Sequence, residues 1–366
     1  MPIIPEGTRY VLPPEWERRE SLRQSLQEHF ATWGYQPIQT PALEFYDPLH
    51  PLAERAFKLI DRDGEVLALR SEYTTALGRL IRSDLSAGQL PLRLSYAGQL
   101  WLRDQISELG RMREFSQVGV ELIGPSSPLA DAELLEMAAG ALERAGVRFQ
   151  LELGHPGFVH AVLRSTGLPE AALADLHRAV DGKAQPELAA LLDRWSVSGC
   201  KRADVLRLTD LYGGAEILPE ARALCSTDEA SSALDWLQET IGLLGPSDLL
   251  LDLGMSRRYG YYTGLTFRAH TPDLGLPLLG GGRYDAGIPG AGFAIGLERL
   301  LGALGEPPVS PGAEVLAADL ASARWARSQG HRAELAHCPP AQLIDEARRR
   351  GARWLAQAGQ LVPVRA

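Results

Sequence analysis

An α+β fold is predicted by three stretches of this 366-residue chain. Trp16, Leu22, Leu26, Phe30 and Trp33 recur every three to six residues, the spacing of one apolar stripe on a helix over about residues 14 to 33. Phe115, Gln117, Gly119 and Glu121 alternate with Val118 and Val120, the period-two pattern of a strand. Gly292-Phe293-Ala294-Ile295 reads as a short apolar strand, and Leu297, Leu300, Leu301 and Leu304 continue it with helical spacing.

Along the chain, Gly34 ends the first helix and Gln36 to Thr40 runs extended to Pro41. In Leu69 to Ala76, Glu72 and Thr74 stand two residues apart. On a strand or turn they point the same way and can converge on one cation. Gln117 and Glu121 share a strand face, and burying them without partners is costly, so a polar ligand explains them better than a core does. Leu129 to Gly146 predicts a helix and Phe149 to Gly154 a strand. From Pro156, Ala, Leu, Glu and Arg dominate, with breaks at Gly167, Gly182, Gly199, Gly213 and Pro219. This insertion, at about residues 156–248, reads as several short helices, the last from about Asp228 to Leu244, and is assigned no chemistry.

Tyr261 and Tyr262 alternate across a strand, so only one faces a site, by register Tyr262. Gly280, Gly281 and Gly282 remove three successive Cβ atoms, which lets a flat or zwitterionic ligand lie against the main chain or lets the chain turn with φ > 0. Arg299 falls in the first turn of the last helix of this region, where the dipole disfavours a cation. A turn joining a buried strand to a core helix is the plainer account of the glycines, and packing the plainer account of the tyrosines. After Leu304 the chain reads strand (residues 313–318), helix (320–329), strand (332–337), helix (342–350) and a last extended piece (353–355).

Lys and Arg total 37 against 46 Asp and Glu, a formal net charge of −9, which argues against a polyanion as the main partner. Three cysteines, Cys200, Cys225 and Cys338, are far apart and without CxxC spacing, which disfavours disulfide and zinc frameworks and fits a reducing cytoplasm. No 18-residue apolar run exists, and residues 1 to 15 lack the apolar core of a signal peptide.

Taken in order, Pro5-Glu6-Gly7-Thr8-Arg9 with Trp33-Gly34-Tyr35, Leu69 to Ala76, Gly110 to Glu121, Arg257 to Gly264 and the Gly280 to Arg299 run resemble the signature segments of class II aminoacyl-tRNA synthetases, in the histidyl branch. The resemblance covers about residues 5–125 and 250–304. It implies an antiparallel sheet flanked by helices over residues 1–304, carrying the helical insertion, and a truncated anticodon-binding-like α/β region over 305–366. It further implies that Glu72 and Thr74 meet a histidine α-ammonium and Gln117 its head group. Glu121 would receive an imidazole N–H, which suits an acceptor-only carboxylate. Arg257 would meet the carboxylate, the planar match for a guanidinium, with Tyr262 and Tyr284 completing the pocket. The first helix resembles the element through which synthetases dimerise, which implies that Trp16, Leu22, Leu26 or Phe30 lies near a two-fold axis.

The chain also departs from that pattern. Between Gly98 and Gly110 it is one residue longer than the synthetase spacing. Either Leu102 replaces the phosphate-clamping arginine, or Arg103 keeps that role and Gln105 stands in the place of the adenine-reading glutamate. Both disturb an adenylation that depends on positioning and charge stabilisation. Gly260 also stands where the histidine-specific segment has Asp. Arg103, Arg111, Arg113 and Arg299 are then remnant nucleotide or phosphate contacts, with no catalytic residue, metal or cofactor implied. The pattern is similar to that of synthetase paralogues serving as regulatory subunits of ATP phosphoribosyltransferase. That implies a short-form catalytic subunit as partner in a hetero-octamer, histidine as effector and a homodimer within the assembly. An active histidyl-tRNA synthetase, or a tRNA- or partner-binding module without chemistry, are the alternatives.

Overall fold

The computed structural model describes residues 4–84, 90–103, 106–107, 110–245, 248–255, 262–285, 287–305 and 313–364. The chain divides into a larger unit, residues 1–12 and 16–306, and a smaller one of residues 13–15 and 307–366.

In the larger unit the strands are β1 (Gln36–Pro37), β2 (Leu43–Phe45), β3 (Lys58–Ile60), β4 (Val66–Leu69), β5 (Leu92–Trp101), β6 (Ile106–Ser107) and β7 (Gly110–Arg111). They continue as β8 (Glu114–Ile123), β9 (Gln150–Gly154), β10 (Tyr212–Gly213), β11 (Leu249–Asp252), β12 (Tyr262–Thr271), β13 (Leu274–Asp285) and β14 (Pro289–Gly296). Nine of them form one sheet in the order β1-β5-β8-β14-β13-β12-β9-β11-β10. It is antiparallel except where β1 meets β5 and β9 meets β11. β2, β4 and β3 make a small separate sheet.

Helix α1 (Pro13–Thr32) has Pro13 in its first turn, where a missing N–H costs nothing. Helix α2 spans Thr74–Asp84. Helix α3 (Pro128–Ala145) starts where Ser127 Oγ accepts from Ala130 N, and stops at Gly146, whose φ of 77° is the left-handed C-cap that glycine adopts without a Cβ clash. The insertion supplies α4 (Pro156–Arg164), α5 (Glu170–Asp181), α6 (Gln185–Arg194), α7 (Gly199–Arg207), α8 (Leu218–Ala223) and α9 (Asp228–Leu244). Helix α10 (Leu297–Ala303) follows the last strand of the large sheet.

Strand alternation separates the two faces of that sheet. Val118, Val120, Phe267 and Phe293 join α1, α3, α4 and α9 in one core, with Phe30 edge-on to Phe293. Leu26 and Phe30 are 1% and 0% exposed within their own chain, so neither is free for a two-fold contact; Trp16, 52% exposed, is the residue of that stripe left at the surface. Arg283 also points to the helical face. There its guanidinium donates to Asp131 Oδ1 at 2.6 Å and to the Pro125 carbonyl at 2.9 Å, while Trp236 donates to Asp131 Oδ2 at 2.7 Å. The other face, with Gln117, Gly119 and Glu121, carries the cavity described below.

The smaller unit comprises β15 (Val315–Ala317), α11 (Leu320–Ser328), β16 (Ala333–Leu335), α12 (Leu343–Arg349), β17 (Trp354–Gln357) and β18 (Gln360–Pro363). Its sheet runs β16-β15-β17-β18, with β15 parallel to both neighbours. The closing β18 is one strand more than the sequence predicts. It pairs antiparallel to β17 through Ala358 and Gly359, at φ 50° and 73°, a two-residue turn with both residues left-handed. Alanine in that position hides the turn, because the usual signal is Asn or Asp before Gly.

Candidate functional site

Glu121 is the centre of a cavity of about 350 Å³ on the open face of the sheet. It is 2% exposed and lies on β8, opposite Gly292 of β14. A Cβ on Gly292 would come within 2.2 Å of Glu121 Oε2, so glycine there is what gives the carboxylate its space. Thr74 Oγ1 donates to Glu121 Oε1 at 3.0 Å and Tyr284 Oη to Oε2 at 2.8 Å. Burial pushes the Glu121 carboxyl up to about 8, against the two hydroxyl donors and with the charge of Glu72 adding to the rise.

Glu72 is held differently from what the sequence predicts. Thr74 opens α2 rather than continuing a strand, and Glu72 sits before it, with Oε1 accepting from Thr75 N at 2.9 Å in the manner of a helix cap. The same oxygen meets His50 Nε2 at 3.1 Å. Leu52 N donates to His50 Nδ1 at 3.0 Å, so the proton is on Nε2 and the ring donates to Glu72. Burial raises the Glu72 carboxyl, but the bonds from His50 and Thr75 outweigh it and hold the group below its usual range. Of these two carboxyl groups, Glu72 is therefore the ionised one and Glu121 the one near its titration point at neutral pH.

Arg70 anchors this segment. Its guanidinium is buried and donates to the carbonyls of Thr40 at 2.6 Å and Gln99 at 2.9 Å, tying the approach to α2 to β5. Tyr73 and Tyr96, which also line the cavity, stack with ring centroids 4.1 Å apart. Neither the tyrosine stack nor His50 is legible as a site from sequence: His50 belongs to a loop, and only the fold brings it to Glu72.

Glu72, Thr74, Gln117, Glu121, Tyr262, Tyr284 and Arg299 all line the cavity. Arg299 donates to the Pro277 carbonyl at 2.8 Å. Arg103 and Arg113 stand outside the lining: Arg103 is exposed, and its backbone N–H donates to the Arg55 carbonyl at 2.8 Å. Arg257, Gly260, Tyr261, Gln105 and the side chain of Arg111 lie outside the described residues. The three glycines are not one bare platform. They lie in extended strand, and a Cβ on Gly281 would strike Phe293 and Phe267, while one on Gly282 would strike the Tyr262 ring. Only Gly280 faces open space, with nothing within 4 Å of an added Cβ.

The cavity thus offers an ionised carboxylate, a buried carboxyl with two hydroxyl donors, guanidinium groups and aromatic walls. That set suits a small ligand with a cationic or N–H-donating end and an anionic end. No group of three or more His, Cys, Asp or Glu side chains among the described residues is arranged to hold a metal.

A family model of histidyl-tRNA synthetase matches residues 7–300. The chain is 52% identical over 365 residues to a Thermus thermophilus protein named ATP phosphoribosyltransferase regulatory subunit, covering 99% of both chains. It is 51% identical to a Deinococcus radiodurans protein of the same name, covering 98% of this chain and 89% of that one. Among solved structures it resembles a Bacillus halodurans protein described as an ATP phosphoribosyltransferase regulatory subunit/histidyl-tRNA synthetase, with a TM-score of 0.82, 28% identity and coverage of 93% and 96%. A histidyl-tRNA synthetase from Nostoc sp. shares the fold at a TM-score of 0.79 and 19% identity, covering 96% and 90%.

Proposed function

The chain belongs to the histidyl-tRNA synthetase family and, within it, to the ATP phosphoribosyltransferase regulatory subunits; on that premise we propose that it binds histidine in the Glu121 cavity and relays that binding to a short-form catalytic subunit. The regulatory role in histidine biosynthesis follows from the family, and the full-length 52% identity is the observation that carries it. The chain is non-catalytic in that role. The catalytic subunit supplies the phosphoribosyl transfer.

The cavity supports the sensing half of the reading. An ionised Glu72 at the start of α2 accepts an α-ammonium, with Thr74 and Gln117 also lining the cavity. Glu121 accepts an imidazole N–H while Thr74 and Tyr284 hold its two oxygens in place. Tyr262 packs beside Gly282, and Arg257 takes the carboxylate. Histidine inhibits only by binding one arrangement of the assembly better than the other, typically by ~1–3 kcal/mol. A homodimer supported by exposed Trp16 of α1, acting in the cytoplasm, completes the proposal. Among the described residues no helix is long and apolar enough to cross a membrane.

Loss of adenylation belongs to the same reading. The disturbed spacing before Gly110 and the position of Arg103 outside the cavity support it. Purified protein is expected to show no histidine-dependent exchange of pyrophosphate into ATP; exchange at the rate of an ordinary synthetase would make the chain an active ligase. Mixed with the short phosphoribosyltransferase of its own organism, it is expected to co-elute in a larger complex. That complex should turn over phosphoribosyl pyrophosphate and ATP and slow when histidine is added. A catalytic subunit fully active alone, with size and activity indifferent to this chain, would remove the regulatory role.

A further inference from the structure

Arg268 lies near the middle of the large sheet, on β12, between Gly280 of β13 and Glu152 of β9. It is half-buried and lines the cavity. Among the described residues its side chain makes no hydrogen bond and no ion pair, whereas the cavity's Arg55 and Arg299 both have partners. Cross-strand neighbours stand ~4.5–5.5 Å apart at Cβ, so in ordinary sheet geometry Arg268 would be covered by the side chain opposite. That side chain is missing, because Gly280 is there, and nothing lies within 4 Å of the position its Cβ would take.

Glu152, on the other side of Arg268, does not serve as its counter-ion. The two form no ion pair within 4 Å, and burial first, then the charge of Asp252, raises the Glu152 carboxyl despite Arg268 and Lys183. Lys183 is itself paired with Asp252. A half-buried guanidinium has five donors in a planar fork, and leaving them without an acceptor in a partly dry site is costly.

We propose that Arg268 and the bare backbone at Gly280 form an anion subsite on the cavity floor, which shares the carboxylate of the bound ligand with Arg257 or takes a phosphate. The missing Cβ lets the anion approach the strand, and the fork of Arg268 meets two of its oxygens. The subsite concerns the cavity read above as a histidine pocket, yet its anion can come from an amino acid or from a phosphorylated ligand.

Calorimetry on the full chain separates these sources with four probes: histidine, histamine, inorganic phosphate and AMP. If the anion is the amino-acid carboxylate, Arg268→Gln should weaken histidine at least tenfold and leave histamine unchanged. If it is a phosphate, Arg268→Gln should weaken phosphate or AMP at least tenfold and leave histidine unchanged. Arg268→Lys should fall between wild type and Arg268→Gln, since it keeps the charge without the fork. Gly280→Ala tests the site independently of charge: the added methyl meets no atom, so thermal unfolding should hold while the same probe loses affinity. Wild type that binds phosphate or AMP through Arg268 but not histidine would keep the subsite and sink the histidine reading. Histidine binding unaffected by Arg268→Gln, with phosphate and AMP also unaffected or unbound, would sink the subsite and leave the histidine reading standing. Failure of wild type to bind any anionic probe would overturn the subsite as well.

Discussion

Replacing Glu121 by alanine is expected to weaken histidine binding by ~2–4 kcal/mol, roughly 30- to 1,000-fold, read by calorimetry on the full chain. The size follows from the surroundings. Glu121 is 2% exposed, and its oxygens already take donors from Thr74 and Tyr284. Removing the carboxylate leaves those two hydroxyls and an imidazole N–H without their shared acceptor, and the cost of unpaired polar groups at a buried position is the desolvation penalty rather than the small net value of one bond. Histamine, which keeps the imidazole, should lose as much as histidine does. Unchanged affinity for both would place the imidazole elsewhere.

The pH dependence tests the same contact from the other side. With its carboxyl raised to about 8 by burial, Glu121 in the empty cavity is largely protonated at neutral pH, and the ionised form is the stronger acceptor of an N–H. Histidine binding between about pH 6.5 and 8 should therefore release a proton, with affinity rising as pH rises and levelling above about 8. For folding the sign is opposite. Between the ordinary carboxylate value of 4.5 and about 8 the folded chain holds a proton that the unfolded chain has lost, so burial of Glu121 makes stability fall with rising pH across that window. Glu121→Gln should flatten both trends. A histidine affinity flat from pH 6.5 to 8 in wild type would mean that a neutral Glu121 carboxyl donates to the ring instead.

What the sequence made legible is local chemistry with a fixed period. Gln117, Gly119 and Glu121 share the cavity face because strand alternation leaves no other choice, and α9 begins at Asp228 because Thr227 caps it. Arg283 and Tyr284 show the limit. Both stand out in the same glycine-rich run, yet adjacent strand residues face opposite ways, so Tyr284 reaches Glu121 while Arg283 serves the helical layer. Thr74 illustrates another limit: a Glu-x-Thr segment fits a strand or a helix start equally well until tertiary contacts decide, and here the Thr75 N–H takes Glu72 as its acceptor. His50 and Arg268 carry no motif at all. Each matters only through a neighbour distant in sequence, Glu72 for the one and the absent side chain of Gly280 for the other.

Asp131→Ala is expected to destabilise the protein by ~3–5 kcal/mol, seen as a lower urea midpoint at an unchanged slope. The Arg283–Asp131 pair is 6% and 2% exposed, and removing the acid leaves a guanidinium buried against Trp236 that, among the described residues, still donates to the Pro125 carbonyl alone. The charge of Arg283 already reaches its surroundings: together with burial, it pushes the His155 ring down to about 4 and keeps it neutral. Replacing both partners with apolar side chains of similar volume should recover most of the loss, since the penalty comes from the stranded charge rather than from a large net gain of the pair. The consequence reaches the cavity because Arg283 immediately precedes Tyr284 on β13, so anchoring one side chain under α3 sets the register of the other over Glu121. Histidine affinity should therefore fall in Asp131→Ala under conditions where the variant is still fully folded, and return with the apolar double replacement. A stability within about 1 kcal/mol of wild type, or an affinity untouched while stability falls, would separate the pair from the site and leave it a feature of the helical layer alone.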